Sequence, residues 1–168
     1  METRIDISVN EQGASDVTRN MNQLADGLQL LDPAAAASMR GRALRLGLST
    51  DALTKKVAKT ILESVVRTTP HDTGQARANW QIEISASQPV AAPLLGVTDY
   101  DGESTIVQGQ AEIEATKRQP GQTIWITNAL DYIESLNNGH SKQAAAGFVA
   151  RAVQAGLRIV RNAKLGIE

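Results

Sequence analysis

Residues 69–80 read TPHDTGQARANW, and their reading decides how the chain is organised. Pro70 ends the helical pattern before it, because the residue preceding a proline resists helical angles. Asp72 and Gly74 are turn residues: the Asp side chain can bond nearby backbone N–H groups, and Gly accepts positive φ. An alternating segment follows at once. Ala78, Trp80, Ile82 and Ile84 share one face of an expected strand, and Asn79, Gln81 and Glu83 share the other.

Upstream, Arg4 to Val9 alternates, with Ile5, Ile7 and Val9 facing one way, as in a half-buried strand. Val17, Met21, Leu24, Leu28 and Leu31 then follow at spacings of four and three, a narrow helical stripe. That stripe fits a helix of the same subunit or of a neighbour. Asp32 and Pro33 stop this helix and start the next, Asp as cap and Pro in the first turn. A long helical region is expected from Ala34 to Thr68, with Gly47, Ser49 and Thr50 as a break. Its clearer half carries Leu53, Val57, Ile61 and Val65 four residues apart.

Downstream, residues 85–96 read as an exposed loop rich in Ala, Pro and Ser, and residues 102–118 as a helix. Pro120-Gly121 is a turn. In the strand Thr123 to Thr127, Ile124 and Ile126 face one side and Trp125 the other. Either a helix covers each face, or the Trp125 face meets another subunit; Trp is enriched at interface centres. A short helix is expected from Asp131 to Leu136 and a last one from about Ala144 to Ala163. The pattern predicts an α+β fold: a small, mostly antiparallel sheet packed by a long helix and a C-terminal helix. Residues 1–168 form one domain, with residues 1–32 as an N-terminal strand-helix arm and 85–121 as an insertion.

Bulk composition narrows the function. Hydrophobic residues make up 42%, enough for a core, but aromatics only 3%, so Ala, Leu, Ile and Val must fill it. A formal charge of −1 lacks the basic excess of a general nucleic-acid binder. The chain has no cysteine, which excludes disulfides and thiolate chemistry. It has no apolar run long enough for a membrane span and no apolar leader at its N-terminus. Assembly in a reducing cytoplasm is expected.

Catalytic motifs are sparse. The only histidines are His71 and His140. His71-Asp72 resembles the pair in metal phosphohydrolases, which need further histidines, and no HExxH pattern is present. His140-Ser141 could belong to a hydrolase triad, but there is no GxSxG elbow. No phosphate-binding glycine motif occurs. The expectation is no catalytic residue, no cofactor and no metal. Arg40, Arg42 and Arg45 form the one local basic cluster, a solvated helix face or a contact to a nucleic-acid backbone.

Two stretches carry a family resemblance. Thr69, Pro70, Asp72, Thr73 and Gly74, followed by Arg77 and Trp80, resemble a signature of tailed-phage neck proteins, the tail-component or tail-completion family of the HK-ninety-seven type. The block from Gly121 to Phe148, GQTIWITNALDYIESLNNGHSKQAAAGF, is similar to the family's second block. There the match runs through Asn128, Tyr132, Glu134, Asn138-Gly139, the run from Ser141 to Ala144, and Gly147-Phe148. The family's usual proline is Ala145 or Ala146 here, and His71 stands for a usual valine.

The resemblance implies a non-enzymatic virion protein of the head-tail connector region. It would form a ring, sixfold or twelvefold, that completes the tail for joining to a DNA-filled head. Its partners would be copies of itself, connector or stopper proteins, and the tail terminator or tail tube. Genomic DNA would pass through the lumen without being read. Alternatives are a tail terminator that caps the tube or, in another class, a DNA-binding regulator using Arg40 to Arg45. Candidate subunit-interface residues are Trp125, Val17, Met21, Leu24 and Leu28. Thr69, Pro70, Asp72, Gly74, Arg77, Trp80, Asn128, Tyr132, Gly139, Gly147 and Phe148 are the motif residues.

Overall fold

The computed structural model describes residues 4–10, 12–119 and 121–163, with backbone only for residues 12–17. The elements are β1 (Ile5–Val9), α1 (Gln12–Leu28), α2 (Pro33–Thr68), α3 (Gln75–Ala78), β2 (Gln81–Ser85), α4 (Glu103–Ala115), β3 (Thr123–Asn128), α5 (Ile133–Asn137) and α6 (Phe148–Asn162). The fold is α+β. Its sheet has three antiparallel strands in the order β1-β3-β2.

The register explains the core. Ile7, Ile126 and Ile82 form one row across the sheet, and Val9, Ile124 and Ile84 form the next. Alternation puts both rows on one face, where α2, α4 and α6 pack. Leu62, Val65 and Val66 of α2, Ile113 of α4 and Phe148 of α6 are fully buried there. Close approach depends on absent side chains. A Cβ on Gly156 would stand 2.6 Å from Ile61 Cγ1, and one on Gly109 would stand 2.6 Å from Leu62 Cδ2.

Helix α2 is one piece of 36 residues, about 54 Å at 1.5 Å per residue. The expected break at Gly47, Ser49 and Thr50 does not occur. The Thr50 hydroxyl bonds the Leu46 carbonyl at 2.7 Å, so it turns inward along the helix and opens no alternative turn. Asp32 caps the start by accepting from Ala35 N at 3.0 Å, with Pro33 in the first turn.

Helix α1 packs on the N-terminal half of α2, turned away from the expected stripe. Ala25 is fully buried, with Thr18, Met21 and Leu28 half-buried beside it, whereas Leu24 is 60% exposed and Leu31 84%. Ala36, Ala43 and Leu46 are the buried residues on the α2 side. Small residues let the two backbones approach, so Ala25 takes the seam and Leu24 is turned out. Leu31 lies beyond the helix, in the turn before Asp32. The side chain of Val17 and residue Pro120 lie outside the described residues.

The strand expected from Ala78 onward starts later. Ala78 ends the short helix α3, and β2 begins at Gln81. Ala78 and Trp80 are buried, but so is Asn79, so burial does not alternate before β2. The last helix begins at Phe148, not near Ala144, because Gly147 takes φ 78°. The strand β1 pairs with β3 of its own chain, and Ile7 and Val9 are buried in its own core.

Candidate functional site

The two motif blocks, about sixty residues apart in sequence, meet in space. Thr69 sits at the C-cap of α2, and its hydroxyl donates to Val65 O at 2.6 Å. The Thr69 hydroxyl oxygen in turn accepts the Trp80 indole N–H at 2.9 Å. Arg77 closes the corner: Nε donates to Thr69 O at 2.9 Å, Nη2 to Arg67 O at 3.0 Å and Nη1 to Tyr100 O at 2.8 Å. Helix-end carbonyls lack intrahelical partners, so a guanidinium fork is suited to the task. Burial lowers the Arg77 pKa, opposed by Tyr100, Asp101 and Asp99.

Gly74 is the pivot of the turn, with φ 83°. Its carbonyl accepts from Ala78 N at 3.0 Å and from Asp99 N at 3.1 Å. A Cβ there would stand 2.7 Å from both the Asp99 carbonyl carbon and Tyr100 N. Asp99 continues the link into α4, accepting from Gly102 N, Thr105 N and the Thr105 hydroxyl. Burial works to raise its pKa, but the Thr105 bonds outweigh that and hold it below the usual carboxylate value.

The second block attaches from the other side. Asn128, fully buried at the end of β3, donates to Ala76 O at 2.9 Å and accepts from Leu130 N. Gln143 Oε1 accepts from His71 N at 2.7 Å. The Tyr132 hydroxyl stands 3.4 Å from Gln75 Oε1. Gly139 and Gly147 both take positive φ, and Gly147 N donates to Asn137 O at 2.7 Å. Phe148 then enters the core.

Between the blocks lies an open cleft of about 450 Å³ whose wall includes Asp72, Thr73, Tyr132, His140, Ser141 and Lys142. His140 and Ser141 bond within their own loop. The His140 ring Nδ1 is 3.1 Å from Ser135 O, and Ser141 Oγ accepts from Gln143 N at 3.1 Å. The His71 ring meets Tyr100 edge-on, with centroids 4.7 Å apart. Pro70, buried, lines the cleft's inner edge. Among the described residues no group of three His, Asp or Glu side chains could hold a metal ion. No helix among them is long and apolar enough to cross a membrane.

The interface candidates are placed elsewhere. Trp125 lies half-buried on the sheet face away from the helices, with Asp6, Ser8, Gln81 and Glu83. Neither a helix nor a bare face is found there. The segment 86–98 straps across it: Gln88 reaches Asp6 Oδ2 on the far strand, and Gln81 Nε2 reaches Ala92 O at 2.8 Å. Asn79 then takes both Leu94 N and Leu94 O. Pro89, within the strap, is buried. Trp125 Nε1 and Asp6 Oδ1 are buried without hydrogen-bond partners among the described residues.

Sequence reasoning missed Asp99, Asn79 and the strap. An Asp-x-x-Gly spacing at residues 99–102 was the available signal for a helix start. The arginine cluster does not form one patch. Arg40 bonds Asp26 at 2.8 Å and also Gln29, whereas Arg42 and Arg45 are exposed on another side of α2.

Comparison with known proteins returns no family model, no curated relative and no solved structure that matches this chain.

Proposed function

We propose that the chain is a structural protein of the tailed-phage neck, a ring subunit that completes the tail end and makes it competent to join a DNA-filled head. The observation that carries this reading is the meeting of the two blocks at one corner. The residues that resemble the family's signature, Thr69, Gly74, Arg77, Trp80 and Asn128, bond mainly one another and nearby backbone. A shared framework of that kind belongs to a scaffold whose working surfaces lie elsewhere. Such a protein acts by interface burial and shape. A lumen of low net charge suits the passage of DNA, since each phosphate neutralised would add affinity.

The working residence would be the virion, after assembly in the host cytoplasm, with connector or stopper on one side and tail terminator or tube on the other. Capping the tube as terminator is the alternative role within the same assembly. The split of Arg40 from Arg42 and Arg45 gives no support to a DNA-binding regulator. Electron microscopy of the purified chain mixed with tail tubes and filled heads tests the reading. A ring at one tube end, required for heads to attach, is the expected result. Rings that stop tube growth without promoting head attachment would favour the terminator. Salt-sensitive binding to duplex DNA with no ring on any tube would overturn both.

A further inference from the structure

The loop from α5 to α6 holds the one Asn-Gly pair of the sequence, Asn138-Gly139. Such a pair carries its own chemistry. The glycine nitrogen, once deprotonated, attacks the asparagine side-chain carbon Cγ. A bond forms between Gly139 N and Asn138 Cγ, the Cγ–Nδ2 bond breaks, and ammonia leaves with the proton that the glycine N–H gave up. Water then opens the cyclic imide at either carbonyl, leaving aspartate or isoaspartate. Glycine favours the attack because it has no Cβ to crowd the ring and its backbone turns freely.

The fold sets the backbone against this reaction. Asn138 is the C-cap of α5, with φ −83° and ψ 5°. The five-membered imide needs Gly139 N eclipsed with Asn138 Cβ; at this ψ it is eclipsed with Asn138 N instead. Gly139 N–H also donates to Leu136 O at 3.2 Å, which holds the proton that must leave. Rotation about the Asn138 ψ bond would break that bond and the one from His140 N to Ser135 O, also 3.2 Å. It would shift Gly139 from Ala146 as well, since a Cβ on Gly139 would stand 3.1 Å from Ala146 Cβ. Asn138, Gly139 and His140 are nevertheless exposed. A few hydrogen bonds at the surface are what a local opening breaks, without global unfolding.

We propose that Asn138 is a self-modification site gated by the fold, deamidating through openings of the 137–147 loop to an isoaspartate that the loop cannot accommodate. Isoaspartate routes the main chain through Cβ, which lengthens it by one carbon, and it adds a negative charge. The extra carbon falls between the Asn137 carbonyl, which accepts from Gly147 N at 2.7 Å, and Gly139, which abuts Ala146. That span leads into Phe148, so its distortion loosens the start of α6. The inference concerns the second motif block and is independent of the neck reading.

The test compares the purified protein with a synthetic peptide of residues 134–142 in the same mildly alkaline buffer. Peptide mass mapping and isoaspartate detection follow the modification of each Asn over time. Asn138 should react in the peptide, and about tenfold or more slowly in the folded protein. Gly147→Ala opens the loop: φ 78° resists any side chain, while the added Cβ meets nothing within 4 Å. It should speed the reaction at Asn138 severalfold with helix content retained by circular dichroism. Urea below the unfolding transition, applied to the wild type, makes the same comparison without a substitution. The deamidated fraction, separated by anion exchange, should melt a few degrees lower than the unmodified protein. Asn138→Asp adds the charge without the extra carbon and should keep most of the melting temperature. Equal rates in peptide and folded protein would overturn the gating. So would a rate unmoved by both Gly147→Ala and urea, or prior reaction at another Asn. An isoaspartate form that melts with the wild type would overturn the consequence for the loop.

Discussion

At the scale of single residues, Gly74 and Trp80 concentrate the constraints of the corner. Gly74→Ala puts an L side chain at φ 83° and a Cβ against the backbone of Asp99 and Tyr100. The dihedral alone costs about 1–2 kcal/mol, and the contact adds to it. A fall in the urea midpoint with unchanged slope is the expected outcome; an unchanged midpoint would contradict the turn geometry. Trp80→Ala should cost about 3–5 kcal/mol, the range for emptying an aromatic core site. Trp80→Phe separates packing from bonding. It keeps most of the volume and removes the donor to Thr69 Oγ1, for a loss of about 1 kcal/mol. Trp125 behaves in the opposite sense. Its buried Nε1 has no partner among the described residues, so Trp125→Phe should be neutral or stabilising in thermal melts. A large loss there would show that the indole N–H is bonded.

At the scale of elements, Asp99 joins the turn at Gly74 to the first turn of α4. Its folded pKa is depressed, so its contribution is complete above the unfolded value of about 3.9 and is lost as pH falls through the lower, folded value. Melting temperature should drop as the solution is taken from pH 5 toward pH 3, and Asp99→Asn should flatten part of that drop. A wild-type profile that the substitution leaves parallel would remove Asp99 from the account. Helix α2 supplies a second test. Gly47 sits inside a continuous helix, and a Cβ there meets only Thr18 Cγ2 at 4.0 Å. Gly47→Ala should therefore stabilise by about 0.5–1 kcal/mol, which a broken helix would not allow. Much of this architecture was legible beforehand. The alternation of Ile5, Ile7 and Val9 gave β1, and the four-residue spacing of Leu53, Val57, Ile61 and Val65 gave the buried half of α2. Periodicity reports what is apolar, though, and not what is small. It chose Leu24 for the α1 seam, where close approach needed Ala25. It took Gly47 as punctuation, although one glycine costs a helix only about 1 kcal/mol and α1 covers that stretch. The strap over Trp125 was illegible because side-chain bonds from Asn79, Gln81 and Gln88 to distant residues hold it, and these follow no local pattern.

At the scale of the whole molecule, α2 belongs to two neighbourhoods at once. Its C-terminal half is wrapped by the sheet, α4 and α6, while its N-terminal half is covered by α1. Amide exchange should therefore grade along a single helix, slow from Thr54 to Val66 and faster from Ala36 to Leu46. Uniform protection along the helix would mean that the hairpin unfolds only with the core. Stiffness has a further consequence. A helix with no interruption between hairpin and corner is a lever whose fulcrum is the packed half and whose far end carries Leu30 and Leu31. With an arm of about 30 Å, a tilt of roughly 5° moves the tip by about 2.6 Å. Small adjustments where α2 crosses α6 at Gly156 would thus set how far the Leu30-Leu31 tip swings.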